Sequence, residues 1–261
     1  TKDIFGKQHR YMGRTGDGIW DAGAARPAPE VLRRAKEIGC AMLRYPGGCL
    51  THNFEWKDAV GPAGERPNFA FGVVEFVRWC RAASAEPLMN VSAYRADPNS
   101  AAALVEFCNA PADADHPWAR LRAKQGHPEP LDVVWFEMGN ESDHGNHEVE
   151  PFRKHTPAGY ADWFVACARR MRAADPDVHI GAHMGTGTGP DDPWNRIVLE
   201  RTRGQADFVI VHTYAVGLWS PEGNKEIASN SDLLMRACLA AGEQVERDLA
   251  AYREVIRKAA G

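Results

Sequence analysis

No run of the chain is apolar for the roughly 20 residues that a membrane-spanning helix needs, so a helical membrane span is excluded. Neither sign of charge dominates. There are 35 acidic and 31 basic residues, and the formal net charge of -4 gives no electrostatic reason to expect nucleic acid or an anionic membrane as a partner. Arg169, Arg170 and Arg172 do cluster, but on the polar side of a helix, where solvated side chains are the ordinary outcome. Cysteine is sparse and unpatterned: Cys40, Cys49, Cys80, Cys108, Cys167 and Cys238 form no Cys-x-x-Cys pair. Four of the six fall in apolar helical stripes, where a free thiol behaves as a small hydrophobe. Reduced thiols and a cytoplasmic protein are therefore expected. The chain opens Thr1-Lys2-Asp3 with no signal-peptide pattern, although a removed targeting segment leaves secretion open. There is no internal repeat, no low-complexity segment and no linker, which favours one domain. There is also no Gly-x-Ser-x-Gly elbow for an esterase-type nucleophile. The glycine-rich Gly185 to Gly189 lacks the lysine and the spacing of a phosphate-binding loop.

What is present is a regular alternation. With 44% apolar and 25% charged residues, 261 positions suffice for one sizeable core. Short runs rich in β-branched and aromatic residues read as strands at Ile4-Phe5-Gly6, Cys40 to Tyr45, Glu86 to Val91, Leu131 to Met138, Val178 to His183 and Phe208 to His212. Between them, apolar residues recur at helical spacing: Val31, Ala35 and Ile38; Val73, Phe76, Val77 and Cys80; Ala101 to Cys108; Tyr160, Trp163, Phe164, Cys167 and Met171. Thr156-Pro157 and Asp192-Pro193 carry the cap-then-proline signature of a helix start. A last long helix opens at Ser231-Asp232 and runs through Leu234, Cys238, Ala241, Val245, Leu249, Tyr252 and Ile256. One strand per helix means βαβ units and a parallel sheet. Six units make an α/β fold, either an open sheet or an incomplete (β/α)8 TIM-type barrel about two units short.

The most informative stretch is Leu131 to Ser142. A buried-strand pattern breaks at Gly139 into Asn140 and Glu141, where a parallel α/β protein collects its ligands. A Glu fixed there is a candidate general acid/base, with the neighbouring amide orienting a hydroxyl; the alternative is a solvated Glu opening a loop. If the strands share one barrel, Arg44, Tyr45, Cys49, Asn90, Asn140, Glu141, His183, His212 and Tyr214 converge at its mouth. Amide, imidazole and aromatic groups of this kind suit a neutral polyol. Trp20, Trp56 and Trp219 lie in loops after strands and are candidate sugar-stacking surfaces, with ordinary loop packing as the alternative. His144-Gly145-Asn146-His147 has a poor zinc spacing unless a rigid element supplies a further ligand, so a solvated loop is expected there.

At these residues the chain resembles family 51 glycoside hydrolases, mainly α-L-arabinofuranosidases, within the clan A retaining (β/α)8 glycosidases. The resemblance rests on Ile4-Phe5-Gly6-Lys7, Met12-Gly13-Arg14, Gly18-Ile19-Trp20-Asp21, Leu43-Arg44-Tyr45-Pro46-Gly47-Gly48, Trp56, Gly61-Pro62, Glu75-Phe76, Glu86-Pro87, Gly139-Asn140-Glu141 and His212-x-Tyr214. It implies a retaining hydrolase of arabinose-containing plant polysaccharides or oligosaccharides. Glu141 would be the acid/base, with a raised pKa. Asn140, Cys49, His212, Tyr214 and Trp56 would bind the sugar. It implies no metal and no organic cofactor, a carbohydrate as partner, and leaves a homo-oligomer open. Two departures stand out. Arg10 occupies the place of a sugar-binding Glu. The clan's nucleophile, a Glu ending the seventh strand, has no match, since the chain stops after its sixth helix. Residues 1–261 are thus expected to form a partial catalytic barrel, without its last strands and the β-sandwich domain that follows them. Retaining chemistry needs two carboxyls about 5–5.5 Å apart; Glu137 lies within the strand, and Glu222 and Glu226 lie in a loop. Three rivals follow: a non-catalytic sugar-binding remnant of such a barrel, a related clan A glycosidase of different sugar specificity, and a metal-dependent hydrolase built on His52, His183 and His212.

Overall fold

The structure is a computed structural model and describes residues 18–66, 71–147, 149–186, 189–215 and 229–260. A small antiparallel hairpin, β1 (Trp20–Asp21) and β2 (Arg26–Pro27), comes first. Then α1 (Pro29–Glu37), β3 (Met42–Tyr45), α2 (Val73–Ala83), β4 (Glu86–Val91), α3 (Pro98–Asn109), α4 (Pro117–Lys124), β5 (Trp135–Met138), α5 (Pro157–Ala174), β6 (His179–His183), α6 (Pro193–Thr202), β7 (Phe208–Ile210) and α7 (Ser231–Ala260) follow. Strands β3 to β7 form one sheet in sequence order, every pair parallel. Five of the six expected sheet strands are present; Ile4-Phe5-Gly6 lies outside the described residues. The hairpin and α4 were not expected from the pattern. Both are short, and α4 carries too few apolar positions to declare a face.

Helix starts follow the predicted chemistry. Thr156 Oγ1 accepts from Gly159 N and Asp192 Oδ1 from Trp194 N, each just before a Pro that needs no partner for its nitrogen. Asp97-Pro98 repeats the device at α3, with Asp97 Oδ1 accepting from Ser100 N. The core lies between sheet and helices: Met89, Phe136, Met138, Ile180 and Ala182 pack beneath Leu104, Phe107, Tyr160, Phe164 and Met171. Burying a side chain of this size contributes about 1.5–3 kcal/mol. Arg122 is buried among them because its guanidinium donates to the carbonyls of Phe107 and Ala110, acceptors that the end of α3 leaves open, and to those of His127 and Pro128 in the loop after α4.

The last helix is only partly seated. Tyr252, Val255, Ile256 and Ala259 pack with Met184, Leu199, Val209 and Val211, while Met235, Leu239 and Leu249 are exposed. The β3 edge of the sheet opens on an apolar cavity of about 390 Å³ lined by Ile19, Val31, Leu43, Tyr45, Phe76 and Trp79. Among the described residues β3 and β7 each pair on one side only.

One buried hydroxyl ties the sheet to its covering helix at the end where the site lies. Tyr160 OH donates to Met138 O and accepts from His183 N, bridging β5 and β6. Tyr160→Phe leaves both backbone groups short of a partner. A loss of about 1–3 kcal/mol is expected, read as a lower urea midpoint at unchanged m-value.

Candidate active site

The strand β5 ends in a bend that only glycine fits. Gly139 has φ +82°, and a Cβ there would sit 2.7 Å from Ser142 Oγ and 3.3 Å from Ala93 Cβ. The chain leaves β5 through this bend, and Glu141 follows in the left-handed region at φ +41°. That is a sparsely populated conformation for a side chain of this size. A specific contact holds it: Glu141 N donates to His183 Nε2 at 3.0 Å. His183 is fully buried at the end of β6, and burial keeps its imidazole well below its ordinary pKa, hence neutral and able to accept. Its other nitrogen lies 3.9 Å from Asp143 Oδ1, while Asp143 Oδ2 accepts from Thr186 N.

The carboxyl of Glu141 is held from the chain that follows β7. His212 Nδ1 and Tyr214 OH both donate to Oε1, each at 2.8 Å. Asn140 is turned the other way. Its Oδ1 accepts from Arg44 Nη2 at 2.8 Å, and its backbone O accepts from His52 Nε2 at 2.8 Å. Arg44 also grips the fully buried Glu137, through Nε to Oε2 at 2.6 Å and through Nη2 to Oε1. Asn90 Nδ2, from the end of β4, donates to Gly139 O. All five strands of the sheet thus reach one point. Above it opens a cavity of about 690 Å³, lined by Arg44, Gly48, Cys49, Asn140, Glu141, His144, His147, Thr186, His212 and Tyr214. Among the described residues lining it, Glu141 is the only carboxylate.

Residues 34–220 match the family model described as the alpha-L-arabinofuranosidase 1 domain. The chain belongs to this family. Its relatives include an intracellular exo-α-(1→5)-L-arabinofuranosidase of Acetivibrio thermocellus, 29% identical over 86% of this chain and 46% of the relative. Another is α-L-arabinofuranosidase C of Emericella nidulans, 30% identical over 77% of this chain and 41% of the relative. Among solved structures, a family 51 α-L-arabinofuranosidase from Bifidobacterium longum superposes with a TM-score of 0.75 at 25% identity, over 93% of this chain and 48% of that one. The α-L-arabinofuranosidase of Thermotoga maritima in its arabinose complex gives 0.66 at 28% identity, over 94% and 49%. The chain spans about half the length of the curated relatives it matches. Its parallel sheet and helices are part of a (β/α)8 TIM-type barrel.

Against that arabinofuranosidase frame, the structure brings Cys49, Asn140, Glu141, His212 and Tyr214 together in one cavity. Trp56 is a correction. It is buried in its 3-10 turn (Trp56–Ala59), with Nε1 donating to Ser100 O and Oγ and its ring against Trp118 and Phe107. An indole so satisfied is packing, not a sugar platform. Trp20 is likewise buried, against Phe71. Tyr45 is turned into the core, its OH donating to Phe71 O. Trp219, Arg10, Glu222 and Glu226 lie outside the described residues. His52, His183 and His212 do not converge as a ligand set: their hydrogen bonds lead to Asn140 O, to the Glu141 backbone and to the Glu141 carboxyl in turn. In the His144 to His147 run, His144 is exposed, as a solvated loop implies, with Nε2 against Thr186 O at 3.2 Å, and both histidines also line the cavity. Their position directly after the acid/base candidate was the available signal.

The charge state of Glu141 also differs from the expectation of a raised pKa. The His212 hydrogen bond, with that of Tyr214, outweighs burial and holds the carboxyl down at about 2. Tyr214 is pushed the other way, to about 12, by burial and by the carboxylate it serves. Two outcomes follow. Tyr214→Phe removes one donor and raises the Glu141 pKa, which a carbon-13 carboxyl titration reads directly. A depressed pKa also stabilises the fold above the ordinary Glu value of 4.5, and that contribution is lost as pH falls from there toward 2. Wild-type protein should therefore lose more stability than Glu141→Gln across that interval, measured by urea unfolding.

Proposed function

We propose that the protein is a retaining glycoside hydrolase of the α-L-arabinofuranosidase type, acting on arabinose-containing plant polysaccharides or their oligosaccharides, with Glu141 as general acid/base. The observation that carries the proposal is one carboxylate, anchored by backbone and side chain alike, at the floor of a sugar-sized cavity at the strand ends. Family membership and the names of the relatives support the substrate class.

In this reading Glu141 protonates the glycosidic oxygen as the bond to the leaving group breaks, then takes a proton from the water that releases the sugar. Asn140 donates its amide N–H to a hydroxyl beside the anomeric carbon. Arg44 occupies Asn140 Oδ1 and so fixes which end of the amide is offered. His212 and Tyr214 hold the carboxyl and border the same subsite, and Cys49 touches the sugar from the turn after β3. The attacking carboxylate is assigned to a part of the protein outside the described residues, where the remaining barrel strands belong. Its approach to about 5–5.5 Å is also what the acid step needs, because a second negative charge raises the Glu141 pKa from its low resting value. The proposal takes residues 1–261 as part of that barrel. It takes the protein as cytoplasmic, like the relatives named intracellular. No helix among the described residues is long and apolar enough to cross a membrane.

A second reading, sugar binding without turnover, draws on Glu141 being the lone carboxylate of the described cavity lining. The full-length protein separates the two. Glu141→Gln should lower kcat/KM on an arabino-oligosaccharide by about 10²–10⁴-fold, and less on an aryl arabinofuranoside, whose leaving group needs little protonation. Unchanged hydrolysis by the variant sinks the assignment of Glu141. Wild-type protein that binds arabino-oligosaccharides calorimetrically and never cleaves them establishes the second reading.

A further inference from the structure

We infer that Cys49, His147 and Glu141 form a binding site for a zinc-class divalent cation at the mouth of the cavity. The three come from separate segments: Cys49 from the 3-10 turn after β3 (Gly48–Asn53), Glu141 from the bend after β5, and His147 from the loop that follows. One ligand atom from each, Sγ, a ring nitrogen and a carboxylate oxygen, lies within 4.8 Å of the other two. Cys49 Sγ and His147 Nδ1 are 3.8 Å apart. A tetrahedral zinc with its usual bonds to sulfur and nitrogen sets such a pair at about 3.6 Å, so this edge is close to a coordination distance already. The oxygen closes the remaining gap by a side-chain adjustment of about an ångström.

The donor set is selective. Thiolate and imidazole favour zinc and its neighbours, whereas calcium and magnesium take oxygen ligands. Binding would displace the Cys49 thiol proton to solvent. One thiolate, one carboxylate and one neutral imidazole then balance the two positive charges, which suits a half-buried position. The surroundings hold the ligands in place. His147 lies edge-on to the His52 ring, with centroids 5.5 Å apart, and stacks on His144 at 5.8 Å. His212 and Tyr214 both bind Oε1 of Glu141, so Oε2 has no protein donor among the described residues. Three protein ligands facing a cavity leave a fourth position for water, the arrangement of an open zinc site. This also supplies what the His-x-x-His spacing lacked, namely ligands from other strand ends.

The consequence for activity rests on the glycosidase reading, but the site itself does not. A carboxyl bound to metal can neither give nor take the leaving-group proton, so zinc and sugar would exclude one another. Metal-free full-length protein is titrated with zinc, and with cobalt(II) as the spectroscopic probe. The expected result is one zinc per chain and a cobalt spectrum with a near-ultraviolet thiolate charge-transfer band. Cys49→Ser should abolish the band. Cys49→Ser and His147→Ala should each weaken zinc by about tenfold or more, while Cys238→Ser, in the exposed part of α7, changes neither. Circular dichroism verifies folding, and His147→Ala carries the test alone if Cys49→Ser fails to fold. A band that survives Cys49→Ser, zinc affinity unchanged in His147→Ala, or no stoichiometric zinc at micromolar concentration overturns the inference. Loss of arabinofuranosidase activity would leave these spectroscopic results untouched, so the two proposals fail separately.

Discussion

The site depends on the neutral imidazole of His183 accepting from the backbone of Glu141. A residue at φ +41° has no intrinsic reason to stay there. Its amide points away from any strand ladder and must find an acceptor in the interior. His183 is that acceptor only while it is uncharged, and complete burial keeps it so. The chain after β5 is thereby fixed against β6, and the Tyr160 hydroxyl fixes the same two strands one step below. Everything the carboxyl does is built on a backbone pinned at these two places.

Charge is managed in two layers beneath the cavity. The deeper one is Glu137, fully buried in β5 and gripped by Arg44 from β3. A buried carboxylate is tolerable only when paired and hydrogen-bonded, and the fork geometry of an arginine does both at once. The same guanidinium reaches up to Asn140, so one side chain serves the core and orients the floor of the site. The upper layer is Glu141, whose donors come from beyond β7. Strands that are not neighbours in the sheet are thus linked across its end, as a curved sheet permits and a flat one does not. This is a physical reason, independent of any likeness to other proteins, to see the five strands as an arc of a barrel.

Much of this was legible in the residues. The strands β3 to β7 announced themselves because parallel, doubly covered strands are continuous apolar runs, and the cap-proline pairs at Thr156 and Asp192 marked two helix starts. Gly139-Asn140-Glu141 at a strand end, with His212 and Tyr214 two strands on, was enough to assemble the cavity. Two expectations differ from the structure, for different reasons. Trp56 was read as a sugar platform because it lies in a loop, yet Ser100 offers its indole nitrogen two acceptors inside the core. Sequence shows where a residue sits along the chain and not which way its loop folds. The His144 to His147 run was expected as a solvated loop, and His144 is exposed; that both histidines also line the mouth had its one signal in their place directly after Glu141. The pKa of Glu141 went astray by sign. The rise was expected from the pairing of two carboxyls, but two donors converging on one oxygen outweigh burial and lower it.

If the site is the retaining one proposed above, that sign reversal says how its labour is divided. The described part of the barrel holds Glu141 as an anion, ready to accept a proton and poor at giving one. A site made of these strands alone has no reason to keep a proton on that carboxyl near neutral pH, because His212 and Tyr214, which hydrogen-bond it, are both donors. Only a second anion, set on the far side of the anomeric carbon, changes the balance. Under the proposed function, the acid step belongs to the assembled pair of carboxyls, and the hydrogen bonds seen here serve the other half of the cycle, in which the same group takes a proton from water.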